Sequence, residues 1–80
     1  MPRTTMQTAQ MIMNAIRENG IQHEQEIKLG LVREFISRYG GAVPATVDRY
    51  IKFLVEMRMI KITENGNFRP DFERTAELSL

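Results

Sequence analysis

The chain contains no cysteine and no tryptophan, a single histidine, and only Ser37 and Ser79 as serines. Without thiols there is no disulfide, no thiolate metal site and no cysteine nucleophile; the redox compartment stays open, and an intracellular home fits easily. His23 stands with Glu24 and Glu26 at spacings i, i+1, i+3, which do not converge on one point as a metal requires, so no metal is expected. No paired carboxylates mark a pocket and no glycine-rich phosphate loop follows a strand, so the sequence reads as a non-enzyme without cofactor or small-molecule ligand. No apolar run approaches the ~20 residues of a membrane span, and MPRTTMQTAQ lacks the layout of a secretory leader. A cytoplasmic protein without membrane association is expected. Repeats and low-complexity segments are also missing.

What is present suits one globular domain spanning residues 1–80, with 42% hydrophobic and 26% charged residues. Net charge is only +1, which argues against a strong nonspecific grip on a polyanion. The distribution is more telling. Residues 44–70 carry a local excess of two positive charges and the segment from Asp71 onward an excess of two negative ones. Arginine outnumbers lysine eight to three, which favours forked contacts with phosphate or guanine.

The most informative stretch is GGAVPATVDRYIKFLVEMRMIKITENGNFRP, from Gly40 to Pro70. Pro44 suits the first helical position, where its missing N–H costs nothing. Val47, Ile51 and Leu54 recur at i, i+4, i+7 with Tyr50 and Met57 flanking, which predicts one core-facing stripe and leaves Thr46, Arg49, Lys52 and Phe53 pointing away. After Met59 the period becomes two, Ile60-Lys61-Ile62-Thr63, and Asn65-Gly66 offers the φ > 0 pair of a two-residue hairpin turn, with Phe68-Arg69-Pro70 returning.

That order resembles the winged helix-turn-helix family of DNA-binding domains, on Pro44, Thr46-Val47, Arg49-Tyr50-Ile51, Leu54 and Met59-Ile60. The pattern covers about a third of the chain and departs from the family at Arg58, where a glycine commonly ends the recognition helix. The resemblance implies an α+β, mostly α fold, a winged helix of three helices plus a C-terminal β-hairpin wing. It implies sequence-specific binding of double-stranded DNA by a small homodimeric transcriptional regulator of prokaryotic or viral type. The alternative is a winged-helix protein–protein interaction module without DNA binding, for which the near-zero charge and Phe53 speak.

In the DNA-binding geometry Thr46 meets a base or phosphate, Arg49 forks onto guanine or phosphate, and Lys52 contacts backbone. Tyr50 divides between core and phosphate, and Arg38 reaches phosphate or stays solvated. Asn65, Asn67 and Arg69 lie over the neighbouring minor groove. Asp48 either accepts from cytosine or, more simply, pairs with Lys52 four residues on.

The rest of the chain supports this unit. Thr4-x-x-Gln7 is a capping box for a first helix that runs to about Glu18 and closes at Asn19-Gly20. Its Met6, Met11 and Met13 are soft apolar groups, serving either as core filler or as a dimer interface. A second helix from about Gln25 to Tyr39 is held by Ile27, Leu31, Val32, Phe35, Ile36 and Tyr39, with Ile21-Gln22 as a short strand before it. Few phosphate contacts per chain point to a homodimer, built from Met6, Met13, Leu78 and Leu80; the tail 71–80 packs on the first helix or across the dimer, and the sequence leaves that open.

Overall fold

Thr4 opens α1 (Thr5–Glu18): its hydroxyl accepts from the Gln7 N–H at 3.1 Å while Gln7 Oε1 accepts from the Thr4 N–H at 2.9 Å, the expected reciprocal cap. The computed structural model describes residues 3–79. Along α1 the buried residues Ala9, Ile12, Met13 and Ile16 keep the helical period, and Gly20 at φ 85 ends the run.

Between α1 and α2 (Leu29–Tyr39) the chain turns at His23-Glu24 and leads through a strand-like Ile27, so α2 starts four residues later than its periodicity predicts. Ile27 fits the helical stripe, but a longer-range pairing claims it. Its N–H donates to the Phe68 carbonyl at 2.7 Å and its carbonyl accepts from the Phe68 N–H at 2.8 Å. The strand-like element between the first two helices is therefore Ile27, and Ile21-Gln22 forms none. Val32, Phe35 and Ile36 are the buried residues of α2.

Gly40 makes the turn into α3 (Pro44–Glu56) possible: a β-carbon there would stand 2.8 Å from Tyr50 Cε2. Val47, Tyr50 and Leu54 are the buried side of α3, whereas Ile51 is half-buried and Phe53, expected outward, is half-buried against the core. The helix ends at Glu56, three residues before the predicted Met59. There the Arg58 N–H donates to the Val55 carbonyl at 3.0 Å and the Met59 N–H to the Leu54 carbonyl at 2.9 Å, the bond pair of a Schellman motif. Met59 and Leu54, the two residues whose contact accompanies that motif, are both fully buried. Arg58 occupies the glycine position at φ 61, a strain of about 1 kcal/mol that this packing offsets.

β1 (Ile60–Ile62) and β2 (Phe68–Pro70) pair antiparallel with Lys61 opposite Arg69 and Ile62 opposite Phe68. The hairpin loop has three residues rather than the predicted two. The Thr63 N–H donates to the Asn67 carbonyl at 2.8 Å, leaving Glu64-Asn65-Gly66 as the loop. Only Gly66 has positive φ, 77°, which is the type I turn plus left-handed glycine of three-residue hairpins.

A fourth helix, α4 (Phe72–Leu78), occupies the segment read as a tail. Asp71 caps it by accepting from the Arg74 N–H at 2.9 Å. Arg74 Nε donates to the Met57 carbonyl at 3.1 Å and Gln10 Nε2 to the Thr75 carbonyl at 3.0 Å, so α4 ties the end of α3 to the middle of α1. The chain is mostly helical with one small antiparallel sheet, around a core of Ile12, Met13, Ile16, Val32, Ile36, Leu54, Met59 and Ile60. Among the described residues no helix is long and apolar enough to cross a membrane.

Candidate nucleic-acid interface

α2 and α3 meet at the glycine turn, and both begin without a side-chain cap, at Lys28 and Val43. Neither has an acidic residue in its first turn. The Leu29 and Gly30 N–H groups of α2 and the Ala45 N–H of α3 are thus left without a side-chain cap at the positive end of each helix dipole; Pro44 has no N–H, and Leu31 and Thr46 donate to the Lys28 and Val43 carbonyls at 3.1 and 2.9 Å.

The side of α3 opposite Val47, Tyr50 and Leu54 presents Ala45, Arg49, Lys52 and Glu56, all exposed. Arg49 lies 6.0 Å from the Tyr50 ring centroid and has no carboxylate partner among the described residues. Lys52 is 4.0 Å from Glu56, an exposed pair in the less favourable order, base before acid. Asp48 does not pair with Lys52. Arg33 of α2 reaches it at 2.9 Å and ties the two helices together. Thr46 is half-buried with its methyl beside Gly41, and Tyr50, only 8% exposed, belongs to the core and the turn. Arg38 pairs with Glu34 at 2.8 Å and lies 5.5 Å from the Phe35 ring centroid.

Two of the hairpin residues assigned to a minor groove, Asn67 and Arg69, meet on one carboxylate. Asn67 Nδ2 donates to Glu26 Oε2 at 2.7 Å and Arg69 Nη2 to Glu26 Oε1 at 3.2 Å. The Asn67 amide chiefly, with Asn65 and Arg69 adding to it against partial desolvation, holds the Glu26 carboxyl below the usual glutamate range. Lys61 donates to Glu24 at 2.9 Å, and this hydrogen bond and charge hold the Glu24 carboxyl low and the Lys61 ammonium pKa high. In the sequence both acids are weighed only as partners of His23; their contacts with Lys61 and Arg69, 37 and 43 residues away, leave no local signal.

Of the residues assigned to a dimer, Met6 and Leu78 are half-buried and share with Met11 a shallow groove of about 800 Å³ between α1 and α4. Met13 is 0% exposed and is core, with no surface to offer a partner; Leu80 lies outside the described residues. His23 Nδ1 accepts from the Phe72 N–H at 3.2 Å, which fixes the start of α4. Among the described residues no metal-holding cluster forms. No protein-family model, curated protein or solved structure matches the chain.

Proposed function

We propose that the chain is a winged-helix domain that binds double-stranded DNA sequence-specifically, as a homodimeric transcriptional regulator. The observation that carries this is the outward face of α3: an open N-terminus, an exposed Arg49 free of carboxylates, and Lys52 one turn on in a weak pair. Phosphate supplies the acceptor that the Ala45 N–H lacks, and Arg49 has the fork that reads guanine or clamps phosphate. The order Ile27, β2, β1 across the hairpin supports the winged-helix assignment, since it sets a short strand between the first two helices beside a hairpin that follows the third.

Gel shifts over a random duplex pool test this. Arg49→Ala should weaken binding by roughly 1–3 kcal/mol and relax preference at one base position; unchanged affinity and preference would remove α3 as the reading element. In the dimer, Met6 and Leu78 of the α1–α4 groove meet the second copy, which a light-scattering mass checks.

One observation favours the second reading, a protein-docking module. Ile62 is 60% exposed and borders, with half-buried Ile51 and Val55, a shallow apolar dip rimmed by Asp48, Lys52 and Glu56. Failure to bind any duplex at low salt, together with a copurifying partner, would select it.

A further inference from the structure

The hairpin carries two cations on its outer face, and the loop before α2 cancels both. Lys61 and Arg69 are cross-strand neighbours, an arrangement of like charges that opposes pairing. Glu24 and Glu26, two residues apart, answer them one each, at 2.9 Å and 3.2 Å, and Asp71 adds a second carboxylate 3.6 Å from Lys61. The loop's backbone is fixed to β2: the Glu24 N–H donates to the Pro70 carbonyl at 2.8 Å, and Ile27 pairs with Phe68. Glu24 holds this geometry at φ 59, a left-handed conformation that a side chain rarely adopts. The acids are therefore placed by the fold rather than by chance side-chain encounter. The Arg69 side chain nevertheless remains 49% exposed and that of Glu26 29%, so the pair sits where another anion can reach it.

We infer that Glu26 is a positioning residue that competes with DNA phosphate for Arg69, and with it for Asn67, and so sets how much of the hairpin's charge reaches the duplex. The inference rests on the DNA-binding reading above. In the free protein Arg69 is neutralised and Asn67 is held down against the loop. On a duplex, a phosphate oxygen takes the Arg69 guanidinium, because a half-exposed ion pair is weak enough to be exchanged. Glu26 then loses the partners that keep its carboxyl acidic. The wing contributes to binding only to the extent that this exchange occurs, and the acid penalises weak or misplaced encounters.

The test is the salt dependence of binding to a mixed-sequence duplex for the full chain, its Glu26→Gln and Arg69→Ala variants, and the double variant. Glutamine keeps one oxygen for Asn67 and removes the charge together with the oxygen that accepts from Arg69. Glu26→Gln should bind about three- to tenfold tighter at low salt, because no carboxylate has to be displaced, and its slope of log K against log salt should steepen by a fraction of about 0.9, the share of one phosphate contact that the acid withholds. Both gains should vanish when Arg69→Ala is added. If the unaltered chain binds but Glu26→Gln leaves affinity and slope unchanged or lower, the inference falls while the DNA-binding reading stands. If no form binds at the lowest salt, the reading falls and takes the inference with it. A measurement on the unaltered chain guards against a variant that folds poorly: the Glu26 side-chain carboxyl carbon resonance should shift on adding duplex, and its titration should move up toward the ordinary glutamate range. A resonance that stays fixed while the duplex binds overturns the exchange.

Discussion

α1 and α4 each begin at a side chain that accepts a backbone N–H, Thr4 and Asp71, whereas α2 and α3 begin at Lys28 and Val43, which accept none. The closed pair packs together, with Gln10 reaching the Thr75 carbonyl; the open pair is joined by the glycine turn and by the Arg33–Asp48 bridge. A missing cap costs about 1 kcal/mol per helix. It is missing at the two helices joined by the glycine turn and present at the two that pack together. On the proposed function, the α1–α4 half is closed by its own side chains and the α2–α3 half is left free to meet an anion.

The sharpest separation of the halves comes from the methionines of α1. Met13 is fully buried, so Met13→Ala should destabilise by about 2–5 kcal/mol in denaturant melts through lost burial and a residual cavity. Met6→Ala, at a half-buried position, should cost clearly less and alter the solution mass instead. Equal losses of stability would mean that α1 has no free face.

Next in size is the joint of the open pair. Gly40→Ala puts a β-carbon 2.8–2.9 Å from the Tyr50 ring, and moving that ring should cost about 1–3 kcal/mol and re-aim the start of α3. Thermal melts measure the first effect and duplex affinity the second. A fully stable variant with unchanged binding would show that the ring yields freely.

Exchanging caps between the halves gives a smaller change of opposite sign. Thr4→Ala should destabilise by about 1 kcal/mol with little effect on DNA binding, because its reciprocal bonds with Gln7 stay within the first turn of α1. Val43→Asp should stabilise α3 by a similar or smaller amount, about 0.5–1 kcal/mol, yet weaken duplex binding, since the new carboxylate occupies the N–H groups and repels phosphate. Stability and affinity moving together in both variants would dissolve the contrast between closed and open helices.

These contrasts also mark what the sequence could disclose. The α1 cap, the Pro44 start of α3, the strained exit at Arg58 and the hairpin all rest on neighbours within a few residues, and all were legible in part or whole. Ile27 was not, because it satisfies a helical period as well as the strand pairing with Phe68 that claims it. α4 was hidden by length: Phe72, Thr75 and Leu78 keep a helical spacing, but seven residues are too few for a period to stand out. The polar geometry was least legible. Glu26 meets partners 41 and 43 residues away, and Asp48 prefers Arg33, 15 residues back, to the lysine on its own helix. Pairings of that kind leave no trace in local spacing.

The smallest expected effect concerns the loop that covers the hairpin, and it separates charge from capping. Glu24 and Glu26 have folded-state pKa values held below the usual glutamate range by Lys61 and by Asn67, respectively. A carboxylate depressed in this way contributes stability that is complete at neutral pH and is lost as pH falls from about 4.3 toward its lower folded value. Lys61, raised by Glu24, contributes below its ordinary pKa and loses that contribution only as pH climbs through the raised one. The Glu24→Gln/Glu26→Gln variant should therefore show a flatter decline of denaturant midpoint both in acid and in strong alkali, by a modest amount because these groups are solvent-screened. Thr4→Ala, which alters no titratable group, should instead displace the whole profile evenly. An acid limb parallel to that of the unaltered chain would mean that the hairpin cations do not grip the loop through these two glutamates.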